Sequence, residues 1–348
     1  MVRNLLAKDT EVSQCNTSVS SAILTSGALS CSSPMLEVLS ALTGESIAVF
    51  EDEELANAPV KAFKKRLAQK LGIPRFRLRI LQGNCPLDDN QTLIDDQTLP
   101  HTVVQLPPDR EQDEDMIAAC AENNDKLLEQ HLNQPQNPNV ENEQQTETPP
   151  CAAAFAGSLD CISLLIEAGA KIDQGRTNDG ATALYIAAQN GHLEVVRFLV
   201  ESGANIDQGQ TNEGTTPLII AAAEGHLEVV RILVESGANK DQGRTDDGAT
   251  PLFMAAEKGH LEVVRLLVES GANKDQGRTD DGATPLHGAA QEGHLEVVRF
   301  LVESGANKDQ GTTDDGSTPL HVAAENEHPE VVRFLSESGA NKRPRHHR

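Results

Sequence analysis

Apolar residues return with a fixed period of 34 residues through the second half of the chain. Each period contains two stretches with apolar residues three or four apart, such as TPLFMAA at 250–256 and LEVVRLLVESGA at 261–272, and this spacing predicts amphipathic helices. The polar, glycine-rich stretch NKDQGRTDDG at 273–282 follows each helix pair and predicts an exposed finger loop. A helix pair of this size cannot bury its apolar face alone, so the period predicts a stack of repeated units.

Local signals mark where the predicted helices begin and end. Thr250 can cap the first helix of its unit, and Pro251 suits the first turn, where a backbone N–H is not needed. Gly259 permits the turn between the helices, and Gly271 ends the second helix. The same threonine position begins the regular units at Thr148, Thr182, Thr216, Thr250, Thr284 and Thr318, and a degenerate first unit begins near Glu114.

The two ends of the predicted stack depart from the repeat. In the last unit, Ser336 replaces valine, Glu327 replaces glycine and Pro329 replaces leucine, and the first unit exchanges its finger for the sequence at 133–147. An outermost unit has one face without a neighbour, so these changes predict caps. The array is therefore expected to span 114–342 with about seven units.

Residues 35–106 have a different pattern. A helix is predicted with Asn57 as its cap and Pro59 in its first turn, and Gly72 and Pro74 end it. Its apolar face consists of Val60, Phe63, Leu67 and Leu71. Alternating apolar residues predict strands near 36–40, 46–49, 77–81 and 102–106, which gives the order β-β-α-β-β.

These patterns divide the chain into five parts. We expect a disordered arm rich in serine and threonine at 1–33, an α+β domain at 34–107, an acidic linker at 108–113, the helical array at 114–342 and a basic tail at 343–348. The fold class is therefore a multidomain one: an α-solenoid preceded by a small α+β domain.

Charge limits the classes of partner. The chain carries 53 acidic and 29 basic residues, a net charge of −24, and 41 of the acidic and 19 of the basic residues lie in 108–348. Nucleic acid is not an expected partner, because binding its phosphates needs clustered Lys and Arg, and the chain has no Trp and a single tyrosine for stacking on bases. No apolar run reaches about 18 residues, so no membrane insertion is expected. The acidic array should favour protein partners with basic segments.

No group of residues points to catalysis, a metal or a cofactor. The six cysteines include no CxxC pair, and several stand among apolar helical residues, where a reduced thiol acts as a small hydrophobe. One histidine per unit recurs in the Gly-His turn, at His192, His226, His260, His294 and His328. Units about 10 Å apart keep these imidazoles too far from each other to share a metal ion, so we expect them to support the turn and the helix start. We expect a non-enzyme.

The N-terminal α+β domain resembles the ubiquitin-like family in LTGESIAV at 42–49, VKAFKKRLAQKLGIP at 60–74 and LRILQGNCPLDDNQTL at 78–93. The resemblance implies a β-grasp fold with an apolar patch for partner domains, in which Leu42 and Ile80 would stand. Conjugation in that family needs a free terminal Gly-Gly, whereas this domain continues into Pro107-Pro108 and the array. We therefore expect an embedded domain. Its basic residues around Lys64 and Lys65 form either an ordinary solvated face or a dock for an acidic partner.

The array resembles the ankyrin-repeat family, as in TPLHGAAQEGHLEVVRFLVESGA at 284–306 and TPLHVAAENEHPEVVRFLSESGA at 318–340. The common unit of that family has 33 residues; the additional residue here lies between Gly237 and Gly248 and predicts a lengthened or bulged finger. The resemblance implies a protein-binding groove lined by the pair after Ala-Ala and by the finger residues before glycine. Those residues are Gln189, Asn190, Glu213, Glu224, Asp246, Asp247, Glu257, Lys258, Asp280, Asp281, Gln291, Glu292, Asp314 and Asp315.

Together these features predict a scaffold or adaptor that binds a client protein in the groove and a second partner through the ubiquitin-like domain. Two alternatives stay open. The basic helix face could fold back on the acidic groove, or the chain could be the substrate-recognition subunit of a ubiquitin ligase or proteasome assembly. Reduced cysteines suggest the cytoplasm, and the run Lys342-Arg343-Pro344-Arg345 suggests the nucleus as an alternative.

Overall fold

The computed structural model describes residues 21–27, 35–40, 46–50, 59–82, 85–87, 89, 101–105, 114–133, 137–140 and 147–341. The chain divides into two compact units, Met1–Asp109 and Arg110–Arg348. Leu42, residues 1–20 of the predicted arm, the linker at 108–113 and the basic tail lie outside the described residues.

The N-terminal unit, Met1–Asp109, contains a six-stranded sheet. Its strands are β1 (Ser21–Gly27), β2 (Met35–Ser40), β3 (Ser46–Phe50), β4 (Leu78–Gln82), β5 (Cys85–Pro86) and β6 (His101–Gln105). They lie in the order β3-β2-β1-β6-β4-β5, and each neighbouring pair is antiparallel.

Strand β1 corrects the prediction of a disordered arm throughout 1–33. Ile23 is paired with Leu39 of β2 on one side and with Thr102 of β6 on the other. The serine- and threonine-rich composition hid this strand, because sheet formation depends on strand pairing as well as on local composition. Strands β1 and β5 are additional to the predicted β-β-α-β-β order, so the β-grasp arrangement stays a prediction.

A helix, α1 (Val60–Leu71), accompanies the sheet and ends before Gly72, as the sequence predicts. It begins later than predicted, because Pro59 stands at the N-cap position and not in the first turn; Asn57, the predicted cap, lies outside the described residues. Its Phe63 and Leu67 belong to one core with Leu78 and Ile80 of β4. Ile80 has no exposed surface, so the prediction that it contributes to an exposed apolar patch is wrong. Alternation along β4 did not reveal which of its two faces the helix covers. A short 3-10 helix, Arg75–Arg77, precedes β4.

Lys64 of α1 is also not on an open basic face. Its side chain is buried and forms an ion pair with Asp89. Burial lowers the pKa of Lys64, while the hydrogen bond to Asp89 opposes that change. Of the two lysines chosen as the centre of a basic dock, Lys65 alone is exposed.

The C-terminal unit, Arg110–Arg348, is the array, and its described residues contain seven helix pairs, one for each repeat unit. The first helices of the pairs are α2 (Glu114–Ala121), α4 (Pro149–Ala156), α6 (Ala183–Gln189), α8 (Pro217–Ala223), α10 (Pro251–Glu257), α12 (Pro285–Gln291) and α14 (Pro319–Glu325). The second helices are α3 (Asp125–Leu132), α5 (Leu159–Glu167), α7 (Leu193–Glu201), α9 (Leu227–Glu235), α11 (Leu261–Glu269), α13 (Leu295–Glu303) and α15 (Pro329–Glu337).

The threonine caps form as predicted. The hydroxyl of Thr250 accepts a hydrogen bond from the Phe253 N–H at 3.2 Å, which satisfies one of the free donors at the start of α10. In the last two units a histidine takes part as well: the backbone N–H of Thr284 donates to Nδ1 of His287 at 3.1 Å. Thr318 and His321 repeat this arrangement at the start of α14.

Buried apolar side chains join the pairs into one α-solenoid. First helices contact the first helices of neighbouring units, and second helices contact second helices. Ala255 and Ala256 of α10 are fully buried, and their small size allows close helix packing. On α11, Val263, Val264 and Leu267 are buried, while Val268 is only half-buried.

Candidate protein-binding surface

The exposed ends of the first helices form one part of the candidate site. Of the residues predicted there, Gln189, Asn190, Glu224, Lys258, Gln291 and Glu292 are exposed and Glu257 is half-buried. Each pair stands at the end of its first helix, just before the turn glycine or, in the last unit, Glu327. We call these pairs, together with the finger residues before glycine, the groove surface. The array thus displays one variable pair per unit on a constant framework.

The fingers form the other part, and their turn contains the additional residue of the 34-residue repeat. In the finger at 239–248, the N–H of Gly248 donates to the carbonyl oxygen of Arg244 at 3.0 Å. The turn therefore contains five residues, one more than the four of a β-turn. This finding agrees with the predicted lengthened finger. The Arg244 N–H also donates to the Ala249 carbonyl oxygen at 3.0 Å, which holds the base of the turn.

The two aspartates at each finger tip have different environments. Asp247 accepts hydrogen bonds from Nε of Arg244 and from the Ala249 N–H, at 3.0 and 2.9 Å. Its side chain is 14% exposed, against 42% for Asp246. Asp281 and Asp280 repeat this difference. Asp247 and Asp281 are therefore bound to residues of their own finger, whereas Asp246 and Asp280 are more open to solvent.

Arginines extend these contacts from one finger to the next. Nη1 of Arg244 lies 3.5 Å from Glu213 of the preceding finger, and Nη1 of Arg278 lies 3.7 Å from Asp247. We call this series of pairs the finger ladder; Arg176 and Glu147 begin it. The finger ladder is interrupted where Gln210 and Thr312 stand at the arginine position.

These contacts lower the pKa of the finger aspartates that accept them. Burial alone would raise the pKa of Asp247, but hydrogen bonds from Arg244 and the Ala249 N–H outweigh it and lower the pKa below its ordinary value. The same balance lowers the pKa of Asp179 and Asp281. These carboxylates are therefore ionised at neutral pH and neutralised by their own arginines.

Backbone hydrogen bonds also join the fingers. The Thr245 N–H donates to the Glu213 carbonyl oxygen at 2.8 Å, and Thr279 and Asp247 are joined in the same way. At the finger base, the Asn239 N–H donates to a carboxylate oxygen of Asp207 at 3.0 Å. Because donors and acceptors of adjacent fingers satisfy each other, the fingers form a continuous strip beside the first helices.

The histidine of each Gly-His turn bonds to the preceding unit. Nε2 of His226 lies 2.9 Å from the Gln189 carbonyl oxygen, and the same contact recurs in five successive units. A carbonyl oxygen only accepts, so Nε2 carries the proton. The imidazoles stand at the starts of the second helices but do not cap them. The histidines therefore support the turn, as predicted, through a hydrogen bond that joins each unit to the preceding one.

Three buried thiols lie near the N-terminal end of the array: Cys120, Cys151 and Cys161, all in reduced form. A hydrogen bond joins Cys120 and Cys161; it raises the pKa of Cys120 and lowers that of Cys161 to about 7. Burial raises the pKa of Cys151 to about 12. They pack as small apolar side chains, as the sequence predicted.

Sequence reasoning missed one exposed residue of the groove surface. Phe155 stands 34 residues before Gln189, at the first position of the variable pair. Its side chain is 67% exposed. Extending the repeat register by one unit toward the N-terminus would have identified it.

Within the described residues, no group of three or more His, Cys, Asp or Glu side chains is arranged to hold a metal ion. In the same part of the chain, no helix combines the length and the apolar content needed to cross a bilayer.

A family model described as ankyrin repeats (3 copies) matches residues 116–210, 207–278 and 273–346. No curated protein matches the chain. The three matched segments include all the helix pairs except the first residues of α2, and together they cover more than half of the sequence. The chain therefore belongs to the ankyrin-repeat family, whose repeats indicate a role in protein–protein interaction.

Proposed function

We propose that this protein is a non-catalytic adaptor whose groove surface binds a client protein. One observation carries the proposal: the units are nearly identical in their second helices but differ in the exposed pair that ends each first helix. Differences at an exposed, structurally aligned position are what a partner can recognise without cost to the packed core.

Charge supports a basic segment as the part of the client that is bound. Exposed carboxylates recur along the groove surface at Glu224, Glu292, Asp246, Asp280 and Asp314. Opposite charge raises the rate of encounter and favours one class of partner over others.

The N-terminal α+β domain would bind the second partner of the proposed adaptor. Its sequence resembles the ubiquitin-like family at 42–49, 60–74 and 78–93, and this resemblance is what supports docking to a second partner. Two linked modules of modest affinity raise each other's effective concentration when both partners are present.

Reversal of charge on the groove surface tests the proposal. The triple variant Glu224→Lys, Glu257→Lys and Glu292→Lys changes one acidic residue in each of three successive units. Its matched control reverses Glu228, Glu262 and Glu296, which are exposed on the second helices of the same three units. Proteins retained by each full-length chain from a cell extract are identified and quantified.

We expect the control to retain the same client as the unmodified protein and the groove variant to lose it. Equal retention by both variants, or loss in the control alone, would show that the groove surface is not the client site. Far-ultraviolet circular dichroism of both variants checks that their helices are intact.

A further inference from the structure

The groove surface changes character along the array, beginning with Phe155. Within the described residues of the array, the large apolar side chains that are more than a third exposed are Phe155 at 67% and Leu159 at 37%. Phe155 is not in a frayed segment: its carbonyl oxygen accepts a hydrogen bond from Nε2 of His192 at 3.0 Å, and Gly157 ends its helix with φ 69°. An aromatic side chain is therefore held in the open at a fixed position.

Negative charge increases from Phe155 toward the C-terminus. The variable pairs of the second and third units, Phe155-Ala156 and Gln189-Asn190, carry no charge, whereas the first unit, on the other side of Phe155, has one exposed carboxylate at Glu122. The four later units each present a glutamate in the variable pair, at Glu224, Glu257, Glu292 and Glu325, and Glu257 alone is paired with a neighbouring lysine, Lys258.

The finger tips follow the same trend. In the fingers at 171–180, 239–248 and 273–282 an aspartate meets an arginine of its own finger, as Asp247 meets Arg244. The finger at 205–214 lacks that arginine, but its Glu213 meets Arg244 of the next finger. The finger at 307–316 has Thr312 at the arginine position, and Asp314 and Asp315 are both exposed. Hydrogen bonds from Thr312 and Ser317 lower the pKa of Asp315 to about 2, so it stays charged. The acidic character that a partner meets is therefore greatest at the C-terminal end.

We propose that the groove surface binds one extended polypeptide segment with an apolar side chain against Phe155 and basic residues toward the Asp314 end. This inference rests on the proposed function and specifies the chemistry of the client. Aromatic side chains are frequent anchors of interfaces, and the neutral pair Gln189-Asn190 of the next unit would shield that contact from water. The acidic end fixes the direction of the segment, because a reversed segment would place its basic residues beside Phe155.

Geometry sets the spacing of such a segment. Stacked helices lie about 10 Å apart, so Glu257, three units beyond Phe155, is about 30 Å away and Glu325 about 50 Å. An extended chain rises about 3.3 Å per residue. The apolar residue and the basic residues should therefore be separated by roughly 9 to 15 positions.

A random peptide library tests this inference. Segments of about 20 residues, long enough for that span, are displayed on their encoding RNA and selected on the full-length protein. We expect enrichment of segments with one large apolar residue and a basic cluster at the stated separation. Their dissociation constants are then measured by fluorescence anisotropy.

Two pairs of variants identify the contacts. Phe155→Gln should weaken the selected peptides by about 10- to 100-fold, the loss expected when a large apolar contact is removed. Leu159→Gln is its control, since Leu159 is exposed but lies outside the groove surface. Asp314→Asn with Glu325→Gln should weaken the same peptides, whereas Glu330→Gln with Glu337→Gln, on the second helix of the last unit, should not.

Selected segments without the apolar and basic positions, or equal affinity for the protein and Phe155→Gln, would overturn the inference while leaving a protein-binding groove intact. Absence of any enriched segment would also overturn it, because the inference requires a single extended segment. Loss of the cell client in the groove variant would then still support the proposed function.

Discussion

Nε2 of His260 lies 2.9 Å from the carbonyl oxygen of Ala223 in the preceding unit, and its ring covers the Cα of Gly225. A Cβ on Gly225 would stand 2.6 Å from Nδ1 of His260, closer than real Cβ contacts allow. Gly225 also has φ +76°. Glycine and histidine thus act as a pair across the junction between two units.

The first prediction concerns this junction. Gly225→Ala should reduce the free energy of unfolding by about 1–3 kcal/mol, because it combines a left-handed backbone with a clash. Gly237→Ala is the matched control: it has φ +93° but no heavy atom within 4 Å of the added Cβ. Urea denaturation of both variants isolates the contact with His260.

Replacement of His260 by Ala in both backgrounds completes the comparison. The additional loss in Gly225→Ala should largely disappear once the imidazole is absent. If Gly225→Ala and Gly237→Ala lose the same stability, the imidazole contact contributes nothing to the junction.

A second prediction uses the interruption of the finger ladder at Gln210. Gln210→Arg would place a guanidinium near Asp179 and Glu213, as Arg244 is placed near Glu213 and Asp247. The expected gain is up to about 1 kcal/mol, since the pairs are partly exposed and salt weakens them. Thermal melting at low and high salt measures it.

Gln210→Lys controls for charge alone, because lysine lacks the planar fork that contacts two carboxylates. A gain from lysine equal to that from arginine would mean that net charge, not the ladder geometry, stabilises the array.

Acid should weaken the finger ladder. The folded-state pKa of Asp179, Asp247 and Asp281 is lowered, so their stabilisation is present above the unfolded value of about 3.9 and is lost as pH falls through the folded values. Asp247→Asn should therefore be less stable than the unmodified protein at pH 7 and lose less stability below pH about 4. Asp314→Asn, on an exposed tip, should keep the stability of the unmodified protein at pH 7. Equal effects of the two substitutions would contradict a stabilising role for the hydrogen bonds of Asp247 with Arg244 and the Ala249 N–H.

A separate pH effect is expected from His287. Burial lowers its pKa, although the Ser317 carbonyl oxygen, 3.0 Å from Nε2, opposes this. The unfolded chain then takes up the proton first, so stability from neutral His287 is present above pH about 6.5 and lost as pH falls toward the folded pKa. Urea denaturation at several pH values should show a decline that is smaller in His287→Gln. A decline of the same size in that variant would assign it to other groups.

The array could be predicted from sequence because its signals are local. Thr250 and Gly271 bound one helix pair through caps and turns that involve neighbouring residues only, and the period repeats them. The contacts between units could not be read in this way. His260 meets a carbonyl group 37 residues earlier, and Arg244 reaches Glu213 of the preceding finger. Both depend on how units stack.

In the N-terminal α+β domain, too, local sequence signals predicted an element but not its long-range contacts. Helix α1 was predicted from its apolar spacing and its glycine, but the burial of Ile80 and Lys64 depends on which faces meet in the sheet. Strand β1 is held by pairing with distant β6, and its own serine-rich composition gives no strong strand signal. In the groove surface, the alignment of units identified the pairs from Gln189 onward, but it was not extended to the preceding unit, so the prediction missed Phe155.

Site-specific photo-cross-linking tests most directly whether the groove surface is where this protein binds its client. A benzophenone side chain is placed at Gln291, on the groove surface, or at Glu296, exposed on the second helix of the same unit. If the groove surface binds the client, we expect a cross-linked client from position 291 and none from position 296. A client captured from 296 alone, or equally from both positions, would contradict it.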